Sequence, residues 1–246
     1  MVEKASSSLI KETKKQIREN RHLPFLDNPK IIKDSMSSKN FKPLIAFVTK
    51  EEFAKDLSCK SYLVSNGVME SLVDVKTPQG LCVMTQYIQD IVSKPKTNFL
   101  VLDTIQDPGN AGTLIRTALA TGFNTVILVD SVRVTNPKLV RSTVGAIFGV
   151  NIYEMNRQEF VQKVKEWQVS LAKADMNGQN LFDMNIEKQI GVVIGNEGNG
   201  VSDDISSLCD MTIKIPMNKG IESLNAGVSG SIIMYQINKD KIGKEN

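Results

Sequence analysis

Short runs of residues that are apolar on both faces recur through the second half of this 246-residue chain, and a stretch with helical spacing usually separates one run from the next. NFLVLD (98–103), TVILVD (125–130) and IGVVIG (190–195) are the clearest. A strand that is apolar throughout needs cover on both faces, whereas an alternating strand can leave one face in water. Helical crossovers between parallel strands supply that cover. The pattern therefore predicts an α/β fold built on a mainly parallel sheet. Further strands are predicted at 151–155, 169–172 and 211–215, with helices at 110–120, 138–148, 157–167, 202–208 and 224–237. In the first of these helices Leu114, Ile115, Ala118 and Leu119 share one side.

The preceding stretch has a smaller α/β pattern. Helices are predicted near 6–20, capped within Ser6 to Ser8, and at 29–36 and 66–73, with strands at 43–49, 61–65 and 80–84. The polar, proline-bearing stretch Ser93-Lys94-Pro95-Lys96 marks a boundary, giving domains at 1–95 and 96–246. Charge changes at the same place. The whole chain carries a net +3, made of +5 over residues 1–96 and −2 over 97–246. Lys11, Lys14, Lys15, Arg18 and Arg21 lie on the first predicted helix. Two readings fit them: contact with nucleic-acid phosphates, or a solvated helix face.

Composition excludes several chemistries. His22 is the sole histidine, which removes a histidine-based triad and a multi-histidine metal site. Cys59, Cys82 and Cys209 are odd in number, scattered and without CxxC spacing. They suggest reduced thiols in a cytoplasmic compartment, not a disulfide framework or a zinc site. No apolar run has membrane-spanning length, and residues 1–20 lack the apolar core of a signal peptide. A chain that is 41% hydrophobic and 23% charged has enough apolar mass for a core and is not a disordered polyelectrolyte.

Three polar islands follow predicted strands, at the rim where open α/β sheets bind ligands. In the first, DTIQDPGNAGTLIR (103–116), a turn at 107–110 leads into a helix that starts at Asn110 or Ala111 and carries Arg116 further along. It fits an anion or nucleic-acid site at a helix start, or a capped turn with a surface arginine. In the second, Gly195-Asn196-Glu197-Gly198-Asn199-Gly200, glycines allow close backbone approach to a ligand. A dinucleotide fold places its glycine fingerprint after the first strand, so a dehydrogenase is rejected on motif order. In the third, Ile215-Pro216-Met217 ends a strand, and Ser223 or Asn225 caps the last helix around Leu224.

Taken together, the islands resemble the SpoU (TrmH) family of RNA ribose 2′-O-methyltransferases, in the SPOUT superfamily. Asn110 and Arg116 match its first motif, and Gly195, Glu197, Gly198 and Gly200 match its G-x-E-G-x-G. Ile215, Pro216, Met217, Ser223, Leu224 and Asn225 match its I-P-M followed by S-L-N. Arg141-Ser142-Thr143-Val144-Gly145-Ala146 is a looser match. The resemblance covers roughly residues 97–240. The first domain resembles, more loosely, the ribosomal-protein-like substrate-binding domain of these enzymes, best at Lys76-Thr77-Pro78-Gln79-Gly80. Phe25-Leu26-Asp27-Asn28 departs from the expected Phe-x-x-Glu-Gly, which leaves the RNA target open.

The resemblance implies a deep trefoil knot, a homodimer with the active site near its interface, and S-adenosylmethionine as cofactor. It implies cofactor contacts from Ala172, Ala174, Ile194, Gly195, Asn196, Glu197, Gly200, Ile215, Pro216, Met217, Leu224 and Asn225. The implied catalytic set is Arg116, Asn110, Glu197, Ser223 and Asn225, and Arg141 joins the basic helix residues as an RNA contact. Arginine stays charged and is a poor base. Arg116 is therefore assigned to the target phosphate, lowering the 2′-hydroxyl pKa electrostatically, with Glu197 orienting Arg116 or Asn110. Ser223 and Asn225 position the ribose or the cofactor carboxylate. Gly227 and Gly230 inside the last helix fit either drift or close helix–helix contact at a dimer interface. The expected substrate is 23S-type rRNA. The alternatives are tRNA, rRNA methylation conferring antibiotic resistance, and a non-catalytic RNA-binding assembly factor.

Overall fold

The computed structural model describes residues 2–19, 24–73, 75, 77–221 and 223–243. Arg21, His22 and Lys76 lie outside the described residues. The described chain divides into two units, one of Met1–Asp90 with Thr135–Phe148 and one of Ile91–Val134 with Gly149–Asn246. The chain thus passes from one unit to the other at Asp90, a few residues before the expected boundary, and 135–148 groups with the first unit, not with the predicted catalytic domain.

The first unit begins with β1 (Glu3–Lys4), α1 (Ser7–Glu19), β2 (Phe25–Leu26) and α2 (Pro29–Ser35). It continues with β3 (Phe41–Val48), β4 (Lys60–Leu63), α3 (Asn66–Leu72) and β5 (Leu81–Tyr87). The strands form a mixed sheet in the order β1-β4-β3-β5-β2. The two-residue strands β1 and β2 were not predicted, because two residues are too few to show a period. Asn28 caps α2 with its side chain, accepting from the N–H groups of Lys30 and Ile31. Phe47, Met69, Leu72 and Cys82 form a buried cluster.

The second unit starts with β6 (Phe99–Asp103), α4 (Pro108–Thr121) and β7 (Thr125–Val129). Then α5 (Pro137–Ser142) and a 3-10 turn at Ala146–Phe148 belong to the first unit. The predicted continuous helix over 138–148 is broken, because Val144 (φ 50°) and Gly145 (φ 92°) take left-handed conformations. The second unit resumes with β8 (Asn151–Met155), α6 (Arg157–Trp167), β9 (Ser170–Asn180) and β10 (Ile190–Ile194). It closes with α7 (Asp203–Ser206), β11 (Met211–Lys214) and α8 (Ala226–Asn238).

All the strand pairs of the second sheet are parallel, in the order β11-β9-β10-β6-β7-β8. Every residue of β6, β7 and β10 is buried, as their two-sided apolar sequences require. This order positions the site. β10 pairs with β6, aligning Ile194 with Leu102, so the loops after these two strands emerge side by side. β11 lies beside β9, which pairs with β10, and brings the third island to the same rim.

Two boundaries differ from expectation in ways that matter. α4 starts at Pro108, not at Asn110, because Asp107 caps it and accepts from the Asn110 N–H at 2.8 Å. β9 runs to Asn180, far beyond the predicted end at residue 172. Its pairing with β11 breaks: Lys173 aligns with Thr212, but the next residue, Ile213, aligns with Gln179. Residues 174–178 therefore bulge out of the β9–β11 pairing.

Candidate functional site

The three islands meet through side chains. The Nδ2 of Asn110, in the first turn of α4, donates to Glu197 Oε1 at 2.5 Å. The Nδ2 of Asn225 donates to Asn110 Oδ1 at 2.9 Å. One asparagine thus joins the glycine loop to the segment before α8. Glu197 was expected to orient Arg116 or Asn110, and Asn110 is the residue it holds. Asn225 also accepts from the Val228 N–H at 3.3 Å, so it caps α8 while anchoring Asn110. Its polar atoms are engaged within the chain, which makes it a positioning residue more than a ligand contact.

The glycine loop is a tight hairpin. Asn196 and Gly200 exchange two backbone hydrogen bonds, at 3.0 and 2.8 Å. A Cβ on Gly195 would lie 2.2 Å from the Gly200 carbonyl carbon, so no side chain fits there. The loop is tied to the end of β6 twice. Asn196 Nδ2 donates to the Thr104 carbonyl at 3.1 Å, and the Ser202 N–H donates to Asp103 Oδ2 at 2.6 Å. Asp103 is wholly buried. Thr104 sits at φ 57°, a conformation unusual for a β-branched residue and of the strained kind that gathers at functional sites.

Beside this relay lies a cavity of about 460 Å³. Ile194, Ile213, Ile215, Met217, Leu224 and Ile233 give it apolar walls, and Gly195, Gly200, Ala174 and Ala226 leave backbone accessible. Asn196, Glu197, Ser223, Asn225 and Ser229 supply polar groups. Of the residues expected to touch a cofactor, Ala172 and Pro216 are not among its lining. Ala172 is buried within β9, paired on one side to β10 and on the other to β11. The lining also includes Asp175, Met176 and Asn177 of the β9 bulge, which the sequence reading missed. The signal was the polar run Asp175-Met176-Asn177-Gly178 inside what is otherwise a strand.

Arg116 is exposed on α4, and its side chain makes no hydrogen bond or ion pair among the described residues. Ser223 is exposed at the cavity edge, and Glu222 lies outside the described residues. In the first unit, Lys11, Lys14, Lys15 and Arg18 fall at spacings of three, four and seven residues on α1, which puts them on one face. Arg141 is differently placed. Its guanidinium lies 3.9 Å from Asp27, and its Nε donates to the Pro137 carbonyl at 3.2 Å. Both contacts lie within the first unit.

Burial pushes the Cys209 thiol up to about 11 and raises Cys59 and Cys82 as well. Each therefore stays protonated near neutral pH, which removes thiolate chemistry. Among the described residues no group of three or more His, Cys, Asp or Glu side chains could hold a metal ion. Among the same residues no helix is long and apolar enough to cross a membrane.

Gly227 and Gly230 have a role inside the chain. A Cβ at Gly230 would lie 2.3 Å from Leu114 Cδ2 and 3.1 Å from Ile194 Cγ1, and one at Gly227 would lie 3.3 Å from Thr113. Between the two readings, drift or close helix contact, the structure has a close contact, made by α8 with α4 and β10 of the same chain.

The chain is 25% identical over 244 residues to the 23S rRNA (guanosine(2553)-2'-O)-methyltransferase RlmP of Bacillus subtilis (strain 168), covering 96% of this chain and 98% of that one. Its fold is similar to the SpoU methyltransferase AviRb from Streptomyces viridochromogenes, solved in complex with AdoMet. That match has a TM-score of 0.83 and 21% identity, over 98% of this chain and 100% of that one. An AdoMet-bound rRNA methyltransferase from Sinorhizobium meliloti gives a TM-score of 0.85 and 20% identity, over 98% of each chain. The model of the SpoU rRNA Methylase family matches residues 97–235, more than half of the sequence, and the chain belongs to that family.

Proposed function

We propose that this protein transfers a methyl group from S-adenosylmethionine to a ribose 2′-hydroxyl of RNA, with 23S-type rRNA as its substrate. The observation that carries the reading is the Asn225–Asn110–Glu197 relay, which ties all three islands beside one cavity. The near full-length relation to the Bacillus subtilis enzyme supports rRNA over tRNA. The AdoMet complexes of similar fold support the cofactor.

The cavity's donor set fits that cofactor. Apolar walls suit an adenine ring, and the side-chain-free hairpin at Gly195 and Gly200 offers backbone groups to its polar edge. Ile194, Ile215, Met217 and Leu224 would hold the base, and Ser223 and Ser229 the polar ends. Bound there, S-adenosylmethionine supplies an electrophilic methyl group. The chain's own residues do the rest. Asn110 and Asn225 fix the rim, and Glu197 is held in one orientation by Asn110. Exposed Arg116 binds the target phosphate and stabilises negative charge developing on the 2′-oxygen. The proton leaves to phosphate or water, and positioning contributes much of the rate.

The proposal extends to the finer architecture. Membership of the SpoU family supports a C-terminal trefoil knot. Phe182, Val228 and Tyr235 are exposed, and a groove including Ile232 and Ile242 runs beside them, which supports a homodimer through α8. The first unit, with its basic α1 face, acts as the RNA-binding domain, and the enzyme works in the cytoplasm.

Ribose-methylation mapping of rRNA and tRNA, from cells with and without the protein, tests the reading. One rRNA position should lose its methyl group when the protein is absent. Loss at a tRNA position would transfer the activity to tRNA, and an unchanged map would contradict the enzyme reading.

A further inference from the structure

The cavity is lined by two charged side chains, both carboxylates, Asp175 and Glu197, and by no Lys, Arg or His among the described residues. Glu197 is already engaged by Asn110. Asp175 reaches the cavity only because β9 breaks its pairing with β11 and residues 174–178 bulge out. The bulge is built into the chain. A Cβ on Gly178 would lie 2.5 Å from the Thr212 carbonyl oxygen, so the return to the sheet requires glycine. At its tip, Asp175 Oδ1 accepts from the Asn177 N–H at 2.9 Å, which orients the carboxylate and makes no ion pair among the described residues.

Methyl donor and product differ by one methyl group and one positive charge. S-adenosylmethionine is a sulfonium, and S-adenosylhomocysteine is a neutral thioether. Apolar walls and backbone groups bind the parts the two share, so they give little discrimination between them. A methylene-sized difference in an apolar pocket separates ligands only weakly. A carboxylate near the ligand responds to the charge itself. We infer that Asp175 is a specificity-determining residue that makes this cavity prefer the cationic methyl donor over its neutral thioether product. The inference rests on the cavity holding S-adenosylmethionine, as proposed above.

Calorimetry on the full chain tests it with three ligands: S-adenosylmethionine, S-adenosylhomocysteine and sinefungin, which has an ammonium in place of the sulfonium. Asp175→Asn keeps the Oδ1 acceptor for the Asn177 N–H and removes only the charge. Because Asp175 is exposed and partly screened, the expected loss is about three- to tenfold for the two cationic ligands, with S-adenosylhomocysteine unchanged within about twofold. Asp175→Glu should retain the preference. In the wild type, added salt should narrow the gap between donor and product. Equal weakening of all three ligands would assign Asp175 to a group they share, such as the α-ammonium, or to structure alone, and either would overturn the inference, as would no change in any of them. A wild-type protein that binds none of the three would instead overturn the cofactor reading itself.

Discussion

Asn110 shows how much a single residue can carry. Its amide nitrogen donates to Glu197 and its oxygen accepts from Asn225, so both ends of one side chain hold the site together. Asn110, Glu197 and Asn225 were legible in the sequence because each sits in a short polar island after an apolar strand. Asp175 was not, because its position depends on a pairing break between β9 and β11 that no periodicity announces. Gly230 illustrates a role that sequence left open between drift and contact. With its Cβ position 2.3 Å from Leu114 and 3.1 Å from Ile194, Gly230→Ala should overpack the α8–α4 contact. The expected cost is about 1–3 kcal/mol, read from urea denaturation. A variant as stable as the wild type would show that α8 can shift freely.

Among the elements, α4 determines the site most directly. Its start is set by the Asp107 side chain and Pro108, which place Asn110 in the first turn. Asp107→Ala removes the cap, so it should lower stability by about 1 kcal/mol and loosen the Asn110 amide. Thermal denaturation would measure the first effect, and weakened S-adenosylmethionine binding the second. An unchanged melting point would contradict the capping role. The α6 bounds were legible because strong local signals coincide: Asn156 and Glu159 form a reciprocal capping box, and Phe160, Val164 and Trp167 make a buried face. The predicted helix over 138–148 failed because left-handed backbone at Val144, a β-branched residue, is not suggested by its side chain.

For the whole molecule, the modest net charge conceals an uneven distribution. The basic excess lies in the first 96 residues, with Lys11, Lys14, Lys15 and Arg18 on one face of α1. Charge reversal at Lys11 and Lys15 should weaken RNA binding and flatten its salt dependence, while leaving S-adenosylmethionine affinity unchanged. Filter binding across a salt series, together with calorimetry, would measure both. Unaltered RNA affinity would return this face to a solvated surface. The parallel sheet of the second unit was legible because its strands are apolar on both faces. The grouping of Thr135–Phe148 with the first unit was not, because it depends on contacts between segments remote in sequence.

Arg116 is exposed on α4, the helix that carries Asn110, and its proposed role is to stabilise the reacting ribose oxygen of an RNA target. Single-turnover methylation of 23S rRNA by Arg116→Ala, measured alongside RNA and S-adenosylmethionine affinity, tests it most directly. A loss of about a hundredfold or more in rate is expected, with cofactor binding intact and RNA still bound at saturating concentration. Near wild-type methylation by an Arg116→Ala protein that binds both ligands would contradict it.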